Sequence, residues 1–239
     1  MRKFFSVLLI LFLFPIWAVL SFALLPVGAA FQIFGTKARK KVCRLIYGLF
    51  GRAIFLMTLS KIKIINLGKI PRGEPFVLYT NHSSFFDVPI ISGFIAPDAS
   101  YVAKRMLIFW GPIGMWILLG GGILVERKKS KRELVQILKV ISLIKKGQSF
   151  VVFPEGTRSR TGEIGEFHKG SLKVASKSGA KMIPVAIKGS RGILPRGEWF
   201  PRPANVVVTI GEPILPERAG SEPEEVTLEL KNFYLENTK

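Results

Sequence analysis

A histidine and an aspartate five positions apart could form a catalytic base. His82 and Asp87 lie in the segment Asn81-His82-Ser83-Ser84-Phe85-Phe86-Asp87, directly after the apolar run at 76–80. An aspartate that hydrogen-bonds one imidazole nitrogen fixes the tautomer and leaves the other nitrogen free to accept a proton. A structural histidine explains the same spacing equally well, so the pair alone leaves both roles open.

The sequence offers no obvious serine nucleophile to accompany this histidine. It lacks a Gly-x-Ser-x-Gly motif, and Ser83 and Ser84 are too close in sequence to His82 for a triad. A His–Asp pair without a nucleophile suits direct attack by a substrate hydroxyl. In such a reaction His82 takes the hydroxyl proton and no acyl-enzyme forms.

A second polar turn carries an arginine suited to phosphate. The apolar run at 149–153 leads into Pro154-Glu155-Gly156-Thr157-Arg158-Ser159. The planar guanidinium of arginine bonds two phosphate oxygens at once. A structural turn held by a Glu–Arg pair is the alternative interpretation. Active sites of α/β sheets lie where strands end, and both motifs follow predicted strands.

Strands alternate with helices beyond residue 60, which predicts a single α/β layered domain with a parallel or mixed sheet. Lys61–Leu67 alternates basic and apolar residues, as a half-buried strand does. The other predicted strands are Phe76–Thr80, Ser149–Phe153, Lys181–Lys188 and Asn205–Ile210. Ser130 and Glu133 form a capping box that opens a helix ending at Gly147, and Ser221 opens the last helix.

Charge is distributed unevenly along the chain. The 35 basic and 16 acidic residues give a net charge of +19, and 49% of residues are hydrophobic. Residues 1–73 contain basic residues and no acidic residue. This combination excludes a disordered basic tail and disfavours a typical soluble enzyme. A basic surface beside an apolar segment favours anionic lipid as a partner. Nucleic-acid binding is the weaker interpretation, because no recognised nucleic-acid motif accompanies the bases.

The apolar segment near the start of the chain predicts a membrane anchor. Its uncharged run is too long for a signal-peptide core of ~7–15 residues and long enough for a span of ~20 residues. After Pro26-Val27-Gly28, basic and apolar residues recur at spacings of three and four, as in a helix that lies in the membrane interface. We therefore predict anchoring helices at 4–25 and 29–58, and an α/β domain at 59–239. Whether 4–25 crosses the bilayer stays open.

Four blocks of sequence resemble the glycerolipid acyltransferase family, and within it the bacterial 1-acyl-sn-glycerol-3-phosphate acyltransferases. In the family's order they are Asn81-His82 through Asp87, Gly122-Ile123-Leu124-Val125-Glu126-Arg127, Phe153-Pro154-Glu155-Gly156-Thr157-Arg158-Ser159 and Ile183-Pro184-Val185-Ala186-Ile187. The third block is the most specific. One departure is Phe167-His168-Lys169-Gly170, where the family often has Phe-Lys-x-Gly, and it makes His168 a second, weaker candidate base.

The resemblance implies a reaction and a set of roles. His82 would deprotonate the sn-2 hydroxyl of lysophosphatidic acid, and Asp87 would orient His82. The acyl group would come from acyl-CoA or acyl carrier protein, giving phosphatidic acid without a metal or a bound cofactor. The implied substrate-binding residues are Lys104, Arg127, Glu155, Gly156, Thr157 and Arg158, with Arg158 on the acceptor phosphate.

The same resemblance constrains the topology. His82 and Arg158 would share one site and so must lie on the same side of the membrane. The uncharged run at 106–125 is therefore expected inside the fold or dipping into one leaflet. The expected location is the cytoplasmic face of the cell membrane, the inner membrane in a Gram-negative cell. Two alternatives remain: another lysophospholipid or lyso-aminolipid as acceptor, and a non-catalytic basic protein that binds anionic membrane lipids.

Overall fold

The computed structural model describes residues 2–238 except 32, 110–111, 127–130, 160, 169, 196–197 and 199. The helices are α1 (Arg2–Ala23), α2 (Leu25–Ala30), α3 (Gly35–Met57), α4 (Asp87–Ile90), α5 (Pro112–Leu119), α6 (Lys131–Lys145), α7 (Lys173–Ser178), α8 (Pro216–Ser221) and α9 (Pro223–Thr238). The strands are β1 (Lys61–Ile65), β2 (Phe76–Thr80), β3 (Ser100–Lys104), β4 (Ile123–Val125), β5 (Phe150–Val152), β6 (Lys181–Lys188) and β7 (Asn205–Ile210). Short 3-10 turns lie at Arg105–Phe109 and Ser190–Gly192.

The seven strands form one mixed sheet in the order β1-β7-β6-β2-β5-β3-β4. The five strands from β6 to β4 are mutually parallel, whereas β7 is antiparallel to β6 and β1 is parallel to β7. This confirms the predicted α/β fold. The carboxyl ends of β6, β2 and β5, which are neighbours, therefore meet at one edge of the sheet.

Helices cover both faces of the sheet. Side chains alternate along β2, so Val77 and Tyr79 face one core while Phe76 and Leu78 face the other. The first core is closed by α6, α7, α8 and α9. The second is closed by α4 and by the last turns of α3, which contribute Phe55.

The break between the N-terminal helices differs from the prediction. Pro26 does not interrupt a helix but lies in the first turn of α2, where its missing N–H costs no helical hydrogen bond. Helical hydrogen bonds continue through Leu24, whose N–H donates to Leu20 O and whose O accepts the Gly28 N–H, and the chain turns between α2 and α3. Pro15 lies inside α1.

One segment of the described chain, Phe4–Ala30, is long and apolar enough to cross a membrane by length and composition, and few of its residues are buried. Phe12 and Val19 of α1, for example, are 70% and 68% exposed. This supports membrane association. The boundary at residue 58 stays a prediction, and α3 has contacts with the chain beyond it: Cys43 packs with α5, and Arg52 Nε donates to Gly93 O at 2.8 Å.

The uncharged run at 106–125 is divided between a 3-10 turn, α5 and β4. Trp116 of α5 is buried, and its Nε1 donates to Ser21 Oγ of α1 at 2.8 Å. Leu119 packs beside Trp116 against Cys43 and Ile46 of α3. The helix α5 therefore lies between the sheet and the N-terminal helices.

Candidate active site

His82 and Asp87 form the expected pair at the end of β2. His82 Nδ1 lies 2.8 Å from Asp87 Oδ2, the Asp87 side chain is fully buried, and the His82 side chain is 17% exposed. The second imidazole nitrogen, Nε2, is thereby left as the one that can accept a substrate proton.

The Asp87 carboxylate is held by four donors. Its Oδ2 accepts the His82 bond and the backbone N–H groups of Ser83 and Ser84, each at 2.8 Å. Its Oδ1 accepts Ser190 Oγ at 2.6 Å. Ser190 is fully buried and its Oγ lies 3.1 Å from Ser83 Oγ. Hydrogen bonds to an ionised acceptor are the strong ones, so the carboxylate that orients His82 is itself fixed.

The turn after β5 holds the main chain of His82 at both ends. The His82 N–H donates to Glu155 Oε1 at 3.1 Å, and the Ser159 N–H donates to His82 O at 2.8 Å. Glu155 Oε2 accepts the Gly165 N–H at 2.9 Å. Burial raises the pKa of the Glu155 carboxyl, and the backbone donors of Gly165 and His82 oppose that rise. Through its two carboxylate oxygens, Glu155 therefore connects the loop that contains His82 with the segment that contains Gly165.

Two further contacts support the histidine. Its ring stacks on Phe153, with ring centroids 4.0 Å apart and an interplanar angle of 27°. The preceding Asn81 ties β2 to β6, because its Nδ2 donates to Ile187 O at 2.9 Å and its Oδ1 accepts the Ile187 N–H at 2.8 Å. The imidazole is thus positioned by side chains from all three central strand ends.

A cleft of about 810 Å³ opens beside this pair. His82 is not itself in the cleft wall, but Ser83 and Glu155, which adjoin it, are. The cationic side chains that line the cleft are Lys104, Arg158 and Arg191. Such a cluster favours an anionic ligand.

The two arginines of the cleft are held by different loops. The Arg158 guanidinium carbon lies 3.4 Å from the centroid of the Phe85 ring, so the planar group stacks on the loop that carries His82. Arg191 donates to Thr161 O. The cleft also carries carboxylates, at Glu163, Glu166 and Glu198.

The remaining predicted residues have different places. Thr157 lines the cleft. Gly156 has a φ of +69°, and its N–H donates to Phe153 O, which makes the turn tight. Arg127 lies outside the described residues. His168 is exposed and does not line the cleft.

Ser190 and Arg191 were not predicted from the sequence. The signal was available, because the predicted strand Lys181–Lys188 also ends in a polar loop at this edge. The turn requires Gly189, whose φ is +87° and whose added Cβ would lie 2.1 Å from Asn205 O. The stacking of Arg158 on Phe85 was also missed, since nothing in the sequence brings the two loops together.

Comparison with known proteins identifies relatives of this chain in sequence. The family model described as Acyltransferase matches residues 61–188. A chloroplast 1-acyl-sn-glycerol-3-phosphate acyltransferase of Arabidopsis thaliana is 32% identical over 200 residues, covering 82% of this chain and 55% of the relative. A 1-acyl-sn-glycerol-3-phosphate acyltransferase of Pseudomonas aeruginosa is 30% identical over 161 residues, covering 67% of this chain and 62% of the relative. The matched region thus spans less than two thirds of either relative.

A solved structure extends the similarity to the entire fold. The crystal structure of the 1-acyl-sn-glycerophosphate (LPA) acyltransferase PlsC from Thermotoga maritima matches with a TM-score of 0.82 and 28% identity, covering 99% of this chain and 97% of that one. The segment matched by the family model is more than half of the chain and contains both His82–Asp87 and the turn Glu155–Arg158. The predicted family is confirmed: the chain belongs to the acyltransferase family.

Proposed function

We propose that this protein is a 1-acyl-sn-glycerol-3-phosphate acyltransferase. It moves a fatty acyl group from acyl-CoA or acyl carrier protein to the sn-2 hydroxyl of lysophosphatidic acid, and the product is phosphatidic acid. The observation that carries the proposal is the His82–Asp87 pair, joined at 2.8 Å beside a cleft whose described wall has three cationic side chains. The activity in the names of the relatives supports this choice of acceptor.

Acceptor binding uses the cationic wall of the cleft. Arg158 lies over the Phe85 ring, which limits its rotation, and its planar guanidinium can bond two phosphate oxygens at once. Lys104 and Arg191 add positive charge in the same wall. Binding of the phosphate by these side chains thus positions the glycerol hydroxyl near His82.

The chemical step is a direct transfer. His82 Nε2 accepts the proton of the sn-2 hydroxyl while the oxygen attacks the thioester carbonyl carbon. The tetrahedral intermediate then collapses, the C–S bond breaks, and the thiolate receives the proton from His82. Asp87 stabilises the imidazolium in between. General acid–base catalysis of this kind contributes about 10²–10⁴-fold to a rate.

The reaction takes place at the cytoplasmic face of the membrane. The exposed apolar side chains of α1 enter the leaflet, and the positive charge of residues 1–73 attracts anionic lipid headgroups. Because moving an acyl chain out of lipid costs about 0.8 kcal/mol per CH₂, a site at this surface avoids extracting the substrates. The proposal includes no nucleic-acid partner and no cofactor.

The test is thiol release and phosphatidic acid formation with purified protein, with each lysolipid and each donor offered separately. Lysophosphatidic acid should be the acceptor. His82→Ala should lower kcat about hundredfold or more. The matched control is His168→Ala, because the chain has two histidines and the second lies outside the cleft.

Three outcomes would contradict the proposal. Near-normal activity of His82→Ala removes the base assignment. Activity confined to another lysolipid keeps the chemistry and changes the acceptor. No activity with any pair favours a non-catalytic membrane-binding protein.

A further inference from the structure

The outward face of α6 is an exposed apolar surface. Leu134, Val135 and Leu138 are 61%, 63% and 49% exposed. On the opposite side of the same helix, Val140 and Ile144 are fully buried in the core that also contains residues of α7 and α9. The three exposed side chains therefore point away from the sheet.

Positive charge surrounds these apolar side chains. The exposed basic residues on the helix or directly after it are Arg132, Lys139, Lys145 and Lys146. Glu133 is the single acidic residue of α6, and it is half-buried. We call the surface formed by Arg132, Leu134, Val135, Leu138 and Lys139 the α6 patch. A complementary partner presents carboxylates around apolar side chains.

The position of the α6 patch favours a protein over the bilayer. The anchor helix α1 contacts α3 and α5. The residue Phe55 of α3 packs in the second core, on the face of the sheet opposite to Val140 and Ile144. The anchor therefore joins the domain on the other side of the sheet from the α6 patch.

The α6 patch also adjoins the edge of the sheet where the site lies. Since β4 is parallel to β3, and β3 to β5, its carboxyl end lies at that edge. The Glu126 N–H, just after β4, donates to Gln136 Oε1 of α6 at 3.1 Å. Lys104 of the cleft wall pairs with Val125. A protein seated on the α6 patch is therefore next to the Lys104 side of the cleft.

We propose that the α6 patch docks an acidic acyl carrier protein, whose acyl-bearing arm enters the cleft on the Lys104 side. The proposal rests on the proposed function, because the carrier is one of its two donors. Carboxylates of the carrier pair with Arg132 and Lys139, and its apolar side chains pack on Leu134, Val135 and Leu138. Acyl-CoA has no protein surface and does not use the α6 patch.

The test compares two double variants with the same change of charge. Arg132→Glu/Lys139→Glu alters the α6 patch, and Lys61→Glu/Lys63→Glu alters exposed lysines of β1 at the far end of the sheet. Phosphatidic acid formation is measured with one acyl chain on either donor, at low and at high salt. The α6 variant should lose about tenfold or more in kcat/KM for acyl carrier protein at low salt and stay within about twofold for acyl-CoA.

The control variant should match the wild type with both donors. High salt should reduce the difference between wild type and the α6 variant, because it screens exposed charges. An unchanged kcat/KM for acyl carrier protein overturns the proposal. An equal loss with both donors, accompanied by release from anionic vesicles, means that the α6 patch contacts membrane and also overturns it.

A binding measurement separates docking from turnover. Acyl carrier protein is titrated into wild type and the α6 variant without acceptor. Wild type should bind and the α6 variant should bind at least about tenfold more weakly. No binding to wild type overturns the docking even where acyl-CoA supports turnover. If neither donor gives phosphatidic acid, the result contradicts the proposed function instead. The titration then tests the docking of acyl carrier protein by itself.

Discussion

The substitution Ser190→Ala tests whether the hydrogen bond from Ser190 to Asp87 contributes to kcat. Three of the four donors to Asp87 bind Oδ2, whereas Ser190 Oγ is the donor at Oδ1, 2.6 Å away. The serine and the carboxylate are both fully buried. Loss of the hydroxyl therefore removes the hydrogen bond to Oδ1. That bond helps to fix the orientation of the carboxylate, and the carboxylate orients the imidazole of His82.

The magnitude follows from the charge on the acceptor. A hydrogen bond to an ionised group contributes about 1.5–3 kcal/mol. If the transition state depends on that bond for the orientation of His82, kcat falls about ten- to hundredfold, since ~1.4 kcal/mol corresponds to a factor of ten. KM for either substrate should change little, because Ser190 does not line the cleft.

The assay is steady-state thiol release with both substrates varied. Ser190→Thr keeps a hydroxyl and should retain most of the activity. Ser178→Ala is the matched control, because it removes another buried serine hydroxyl, one that donates to Ala175 O within α7. The reasoning is refuted if Ser190→Ala stays within about twofold of wild type in kcat, or if it raises KM while kcat is unchanged.

Three further predictions concern other parts of the molecule. Arg158→Ala should raise the acceptor KM about tenfold or more and leave the donor KM nearly unchanged, because it removes a charge-assisted phosphate contact; steady-state kinetics checks this, and equal effects on both substrates would argue against a phosphate role. Phe12→Asp/Val19→Asp should release the protein from anionic vesicles in a sedimentation assay, since a charge at the bilayer centre costs about 2.5–3.5 kcal/mol; Leu228→Asp, at an exposed position of α9, should not. Burial raises the folded-state pKa of Glu155 above its ordinary 4.5, so the wild type loses stability as pH rises above that value, a loss absent from Glu155→Gln. Thermal unfolding should therefore show the stability of the wild type, relative to that of Glu155→Gln, falling as the pH rises above about 4.5, and a difference that does not vary with pH would count against this.

The two main motifs could be predicted because each is contiguous in the sequence. His82 and Asp87 are brought together by one short loop, and Glu155 and Arg158 by one turn. Ser190 could not be placed in the same way, because its bond to Asp87 spans 103 residues and requires β6 to lie beside β2. Strand order is set by packing of the whole chain, and no local pattern encodes it.

The periodicity of α3 shows a second limit of the sequence. Its alternating basic and apolar residues predict a helix at a membrane surface, and a helix ending at Met57 is present. Yet Phe55 is buried against the sheet and Cys43 against Trp116. An apolar stripe requires an apolar neighbour, and the periodicity does not distinguish lipid from protein.

The order of the strands has a consequence for engineering. The groups proposed to activate the hydroxyl come from loops after three adjacent inner strands, whereas β3, α5, β4 and α6 form a separate excursion of the chain between Asp87 and Phe153 at one margin of the sheet. The Glu155 and Ser159 bonds to His82 tie the ends of this excursion directly to each other. Segments 100–145 from related acyltransferases could therefore be grafted to alter donor choice without moving His82 and Asp87, provided that the graft keeps the contacts of α5 with the N-terminal helices and of α6 with the first core.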